Sequence, residues 1–371
     1  MKNIYFTILL VSNLALSQNC YDVLRPFWGF SNTQITSNSL GSATVASGYL
    51  APGLTSNPAN YAFSKFSFFQ INYSNNEFNS PSSTIGNSGI NGFDIVLPMS
   101  VYRGNFSISI GKHDYIDYLA ASNSDLFNFS EEGGLSSYHI GAAVEFSKNT
   151  FLGFDIKFLG GQNKMIEFSD SSNYTFHPKF DGTEVTLGIL HRQTKLLQFG
   201  LSIDLSTTIS IRDKVILNDY INEEESFSDT WYYDAKKPST LHAGFGLFFN
   251  NFNLLYEYEY TDWSSLKIHS NNMYQDDILY INNQIRETFE PVNSHHLGIA
   301  YHFKKIPIHL FAGYQYLPVP FKNQYGNDIR ESYSYGMSFM IQHNISLQAS
   351  YNKYEWDYEG SPESYEKISF G

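Results

Sequence analysis

The residues with most chemistry to offer occupy alternate positions in strand-like runs. Asp155, Lys157, Arg192, Asp204, Glu257 and Glu259 are all placed this way. Lys157 and Arg192 have the chemistry to meet a carboxylate through a charge-assisted hydrogen bond. The same charges could instead pair with one another and hold strands in register. Eleven histidines raise the question of a metal. His295 and His296 are adjacent, so in a strand they point to opposite faces and cannot share one ion. His242, His296 and His302 share a face, but nothing in their spacing brings them together, and no metal site is expected. The single cysteine, Cys20, excludes an intrachain disulfide framework and a cysteine-based zinc site. There is no Gly-x-Ser-x-Gly elbow, phosphate-binding loop or paired-histidine zinc motif, so no catalytic residue and no cofactor are expected.

The elements that must position these side chains are strands. "NISLQASY" sets Ile345, Leu347, Ala349 and Tyr351 against Ser346, Gln348 and Ser350, and "STLHAGFGLFF" behaves the same way. Such alternation over eight or more residues reads as half-buried strand, and no segment is read as helical. Fourteen runs are found, the first at 61–75 and the last at 363–371. Their connections alternate in length. Tight ones fall at Arg103-Gly104, Lys148-Asn149, Thr194-Lys195, Asn250-Asn251, Lys304-Lys305 and His343-Asn344. Long ones lie between, near 76–90, 116–135, 163–181, 212–238, 263–291, 318–330 and 356–362. Strands in sequence order, with short turns at one end and long loops at the other, describe an up-and-down barrel; the even strand number and apolar outer face describe a transmembrane one. Closure follows, because a bilayer leaves no water to satisfy an open sheet edge. Aromatic residues crowd both ends of the runs, with Tyr258, Tyr260, Trp263, Tyr354 and Trp356 at one and Tyr102, Phe146, Phe249, Tyr301 and Phe303 at the other, as two interfacial girdles would.

The net charge of -13 and the lack of a Lys/Arg-rich stripe argue against nucleic acid as a partner. Residues 1–17 read as a secretory signal, with Lys2 before the apolar run "IYFTILLVSNLAL" and small residues before Gln18. Residues 18–60 are small, polar and turn-rich, too short to build a core of their own. They precede a barrel, 61–371, whose lumen would otherwise stay open, so they are expected to fold inside it as a hatch. Pro58 fixes its own φ and biases Asn57 to extended geometry, turning the chain from hatch to wall.

Here the sequence resembles a family. "SLGSATVASGYLAPGLTSNPAN", closing in Asn57-Pro58-Ala59, is similar to the N-terminal hatch of FadL/TodX-type outer-membrane transporters. "KKPSTLHAGFGLFFNNFNLLYEYEYTDWSSLK" and "LFAGYQYLPVPFKNQYGNDIRESYSYGMSF" resemble two of its barrel segments. The family usually has Gly after Asn-Pro-Ala; this chain has Asn60. The resemblance implies a fourteen-stranded barrel with a hatch, importing long-chain fatty acids or other hydrophobic molecules into a Gram-negative cell. Its partners would be that ligand and outer-membrane lipid with lipopolysaccharide, and it would act as a monomer. A Bacteroidetes-type bacterium suits the Asn/Ser/Tyr-rich composition. In such bacteria some FadL-like barrels shuttle cargo of type IX protein secretion, and that alternative stays open.

Inward parity singles out Leu190, Phe248, Leu255, Phe311 and Met340 as apolar residues in a mostly polar lumen. They are candidates to line a hydrophobic ligand path, or to pack against the hatch. Arg330 lies near an outer loop and is expected to pair with loop carboxylates. The final run, "ESYEKISFG", is short for a spanning strand of about 9–11 residues, so the native chain is expected to continue past Gly371 or the closing seam to be weak.

Overall fold

The computed structural model describes residues 19–31, 34–51, 53–102, 104–123, 128–168, 172–219, 227–322, 329–342, 345–358 and 361–371. The expected signal segment, 1–17, lies outside them, as do the three consecutive glutamates Glu223, Glu224 and Glu225.

Fourteen antiparallel strand positions follow one another in sequence order. They are β1 (Phe68–Ser80), β2 (Ser83–Met99), β3 (Phe106–Asn123), β4 (Asn128–Ser147), β5 (Thr150–Phe168) and β6 (Ser172–Arg192). Next comes β7, broken into Leu197–Asp204 and Thr207–Asp219, and β8, broken into Phe227–Lys237 and Thr240–Phe249. The circuit ends with β9 (Phe252–Asp262), β10 (Pro291–His302), β11 (Ile308–Pro318), β12 (Ile329–Gln342), β13 (Ile345–Tyr358) and β14 (Ser361–Phe370). A short strand, Lys267–His269, continues the wall after β9 by pairing with the first half of β8. The circle closes where β14 pairs with β1, from Ser364↔Asn79 to Phe370↔Tyr73. The last strand also pairs with β13 from Ser361 onward. The expectation of a weak closing seam is therefore corrected, because the seam carries a regular ladder.

The molecule is polar inside and apolar outside. On β12, Tyr333, Tyr335, Met337 and Phe339 face out and are exposed, while Ser332, Ser334 and Ser338 are buried. Phe154 and Phe158 of β5, and Leu187 and Ile189 of β6, face out in the same way. This inversion is what a lipid-facing wall requires. Tyr102, Phe146, Phe249, Tyr301 and Phe303 are exposed at the short-turn end. At the other end the expected girdle is only partly present. Tyr354 is buried, and Trp263 and Trp356 pack into interior clusters.

Two expectations fail for identifiable reasons. Most of the long loops are strand. Segment 76–90 is the β1–β2 hairpin, and β3 to β8 carry their ladders well past the apolar band. There the outward residues turn polar, as with Lys164, His177 and Lys179, so alternation of apolar with polar fades while pairing continues. The second failure is helix α3, Gln275–Thr288, after α1 (Cys20–Leu24) and α2 (Ile35–Ser39). Ile278, Ile281 and Ile285 form its buried face. Their i, i+3, i+7 spacing is a helical signal, too narrow a stripe to stand out in a polar segment.

Candidate functional site

The described residues between 34 and 63 lie inside the barrel and sweep round its inner wall in sequence order. Ile35 reaches the end of β14, Ser39 lies on β12, Gly41 on β10 and β11, Val45 on β7 and β8, and Asn57 to Ala59 on β5 and β6. The wall begins at Phe68 rather than Tyr61, because Pro58–Phe63 forms a buried 3-10 helix that still belongs to the inner segment.

The Asn-Pro-Ala motif is the start of that helix. Asn57 is extended, with φ -130° and ψ 107°, and Pro58 occupies the first helical position, where no N–H is needed. The Asn57 side-chain oxygen accepts from the Ala59 amide at 3.0 Å. Its amide group donates to the Val45 carbonyl at 2.8 Å and to the Ile189 carbonyl of β6 at 2.9 Å. One side chain thus caps the helix, ties two parts of the inner segment and docks both on the wall. Asn60, where the family usually has Gly, donates to the Thr44 carbonyl at 2.8 Å and accepts from Gly48 N–H at 2.9 Å. It closes the inner segment on itself.

The wall receives this segment on glycines. Gly153 and Gly188 are cross-strand partners, as are Gly200 with Gly244 and Gly298 with Gly313. A Cβ on Gly153 would overlap Pro58 and Ala59, one on Gly200 would overlap Val45, and one on Gly313 would overlap Leu40 and Gly41. Bare backbone at these positions lets one chain lie flat on another.

Glu257 of β9 is the strongest single anchor. One carboxylate oxygen accepts from the amides of Thr44 and Val45, at 2.7 and 2.8 Å, and from the Ser56 hydroxyl at 3.0 Å. The other oxygen faces His242 Nδ1 at 2.9 Å. From there an ionic chain runs along the lumen. His242 Nε2 is 3.3 Å from Asp204, Lys157 is 2.7 Å from Glu184 and 3.8 Å from Asp204, and Lys237 is 3.2 Å from Glu184. His296 Nε2 lies 3.5 Å from Glu259, and its Nδ1 is 3.1 Å from the Gly41 carbonyl. Lys157, Asp204 and Glu257 are joined in one network with His242, Glu184 and Lys237, through contacts that strand parity indicated but could not assign.

Of the apolar candidates, Phe248, Leu255 and Phe311 cluster with Leu40, Ala43 and Leu50 of the inner segment. Leu190 packs with Ala59, Tyr61 and Ala62. Met340 stands apart, 36% exposed near the short-turn end of β12. Lys157 is occupied by Glu184 and Asp204. Arg192 has no carboxylate within 4 Å among the described residues, and its guanidinium lies over the rings of Phe63 and Phe151, 4.7 and 5.7 Å from their centroids. Among the described residues Arg330 forms no ion pair, and the loop residues 323–328 lie outside them. It stacks on Trp28, Phe30 and Trp356, which form an aromatic cage.

Beyond the apolar band, at the long end, α1 and α3 pack over the barrel mouth on Tyr118, Leu135, Phe180, Ile209, Tyr233 and Leu266. Arg25 enters this cover beside Asp22, at 2.9 Å. Burial opposes its charge, but Asp22, Asp213 and Glu131 outweigh that and raise its pKa. Burial pushes the carboxyl of Glu167 up to about 7 and that of Asp213 up to about 6, with Arg25 only partly offsetting it. Burial likewise pushes the Cys20 thiol up to about 11, so it stays protonated and unreactive.

No protein-family model and no curated protein matches the sequence. Solved structures match the architecture over nearly its whole length. A FadL homologue from Pseudomonas aeruginosa superimposes with a TM-score of 0.66 at 13% identity, covering 92% of this chain and 99% of that one. The chain has the FadL/TodX fold. The Ralstonia pickettii toluene transporter TbuX gives 0.63 at 11% identity, covering 92% and 97%. The CymD monoaromatic hydrocarbon channel gives 0.62 at 11% identity, covering 91% and 97%. In this FadL/TodX-type barrel, as in any closed wall, a solute crossing the lumen must get past whatever lies inside it. Here that is residues 34–63.

Proposed function

We propose that this protein is an outer-membrane channel for small hydrophobic molecules, gated by movement of its inner segment. The observation that carries the reading is how that segment is attached. It is joined to the wall by side-chain hydrogen bonds, by the carboxylates of Glu257, Asp94 and Asp155, and by flat glycine contacts, and among the described residues not by a sheet ladder. Such bonds are individually worth about 0.5–1.5 kcal/mol, so local release is compatible with an intact barrel. The apolar cluster of Leu40, Leu50, Phe248, Leu255 and Phe311 supplies greasy surface along the path. Neighbours of the same fold include a monoaromatic hydrocarbon channel and a toluene transporter.

Within this reading the cargo class is long-chain fatty acids. The cation we assign to the cargo carboxylate is Arg192, near the short-turn end, since Lys157 is committed to internal acids. The test is uptake of labelled oleate and labelled toluene by a Gram-negative host lacking its own fatty-acid channel. Wild type should transport oleate, and Arg192→Gln should lower oleate uptake severalfold with toluene uptake unchanged. Toluene transport alone would remove the fatty-acid assignment. Transport of neither would overturn the channel reading and favour the protein-secretion alternative.

A further inference from the structure

Three side chains from three consecutive strands meet under the inner segment, apart from the ionic chain above. Asp94 on β2, Gly111 on β3 and His139 on β4 are aligned by the ladder, Asp94↔Gly111 and Gly111↔His139. Gly111 leaves the space between the other two open. A Cβ there would come within 2.5 Å of His139 Nε2 and 2.8 Å of Asp94 Oδ1. His113, two residues along β3, shares the inward face and places Nε2 2.9 Å from Asp94 Oδ2. His139 Nε2 is 3.1 Å from Asp94 Oδ1. One donor atom from each of the three lies within 4.8 Å of the others, and all three residues are buried.

A carboxylate oxygen with two imidazole nitrogens is a donor set for borderline divalent ions such as Zn2+. Two further observations point to an ion at the centre. First, His113 Nε2 lies 2.9 Å from Asp94 Oδ2 and has no other partner among the described residues. Second, the outer layer is built. The other nitrogen of His139, Nδ1, lies 3.1 Å from Asp155 Oδ2, and the Tyr61 hydroxyl donates to that same oxygen at 2.5 Å. Metal-bound histidines commonly give their second N–H to a carboxylate, which fixes tautomer and ring orientation. The Asp94 carboxylate also accepts from Gln34. Ligands held at about 2.0–2.1 Å from tetrahedral Zn2+ lie roughly 3.3 Å apart, so the two Asp94 contacts, one to each carboxylate oxygen, need open by a few tenths of an ångström, and the donor set, now within 4.8 Å, must draw together around the ion.

We propose that Asp94, His113 and His139 bind one divalent transition-metal ion of the Zn2+ class. Because Gln34 and Tyr61 belong to the inner segment, the ion's outer layer also clasps that segment to the wall. The inference stands on the site's own geometry and does not depend on what the channel carries.

The test uses the full chain in detergent, without a histidine tag, stripped with EDTA and titrated with Zn2+ or Co2+. Wild type is expected to take up one tight equivalent and to give visible Co2+ ligand-field bands. His113→Ala should weaken binding at least tenfold and abolish the bands. Gly111→Ala should also weaken it, by filling the space without removing a donor, and both variants must retain heat-modifiable gel migration. Tyr61→Phe should keep the stoichiometry and lose roughly 10-fold to 100-fold in affinity. A stripped wild type that binds no Zn2+ overturns the proposal. So does binding that survives His113→Ala but is lost in His309→Ala, which would place the ion on the His302–His309 pair, whose rings lie 4.3 Å apart.

Discussion

The side-chain amide of Asn57 occupies the space that a side chain on Gly188 would need. A Cβ built on that glycine overlaps the Asn57 oxygen and comes within 2.9 Å of Pro58. The two residues are far apart in sequence, and the pairing explains both: the asparagine needs bare backbone to reach the Ile189 carbonyl. Gly188→Val should therefore displace the inner segment while leaving the outer face of β6, Leu187 and Ile189, untouched. We expect heat-modifiable migration to be preserved and solute flux through planar bilayers to rise. Wild-type flux in a folded Gly188→Val barrel would show that the contact does not hold the gate.

Glu257 gives a complementary prediction without steric change. Three donors from the inner segment converge on one oxygen. Hydrogen bonds to a charged group contribute about 1.5–3 kcal/mol each. Glu257→Gln keeps the shape and removes the charge, so amide hydrogen exchange at Thr44 and Val45 should accelerate by at least tenfold. Exchange at the wall glycines Gly153 and Gly298 should stay slow. Equal acceleration at both would mean that the barrel, and not the latch, had been weakened.

Much of this architecture was legible in the sequence because a lipid-facing wall writes its periodicity plainly. The tight turns at Lys148-Asn149 and Asn250-Asn251 connect the observed strands. What escaped was written in weaker code. Glycines at 153, 188, 200 and 313 looked like ordinary inward positions, and only strand register turns them into a docking surface. Asp94, His113 and His139 could not be joined by spacing, because their meeting depends on two registers and on Gly111 between them. Parity placed Lys157 and Arg192 on the lumen face but could not say that one is paired and the other is not.

The cover at the long end should be pH-sensitive in a defined direction. The folded-state carboxyl pKa values of Glu167 and Asp213 are raised to about 7 and about 6, from 4.5 and 3.8. A raised carboxyl pKa means that the folded cover takes up protons that the unfolded chain does not. Its stability is therefore fully present below pH about 4 and is lost as pH rises through about 6 to 7. Hydrogen exchange in α1, normalised for the intrinsic pH effect, should speed up between pH 5 and 8. Glu167→Gln should flatten that profile. A profile with the opposite slope would mean that Arg25 controls these carboxyls more strongly than burial does.

The last prediction concerns the paired lysines in the lumen. Glu184 is 1% exposed and is held by Lys157 at 2.7 Å and Lys237 at 3.2 Å. Removing one member of a buried ion cluster leaves a charge without full compensation, at a cost of about 3–5 kcal/mol. Lys157→Met should do this to Glu184 and to Asp204 together, since Lys157 lies near both. Lys237 remains to shield Glu184 directly, while Asp204 keeps His242 as its ion-pair partner and the Thr186 hydroxyl as a donor. The unfolding midpoint of Lys157→Met in urea should fall clearly below that of the wild type. Adding Glu184→Gln should recover part of the loss, because two buried acids then no longer compete for the one lysine that remains. The sign of that coupling is the deciding measurement. If Glu184→Gln deepens the loss, the two residues contribute independently, and the lumen charges act as separate contacts and not as one network.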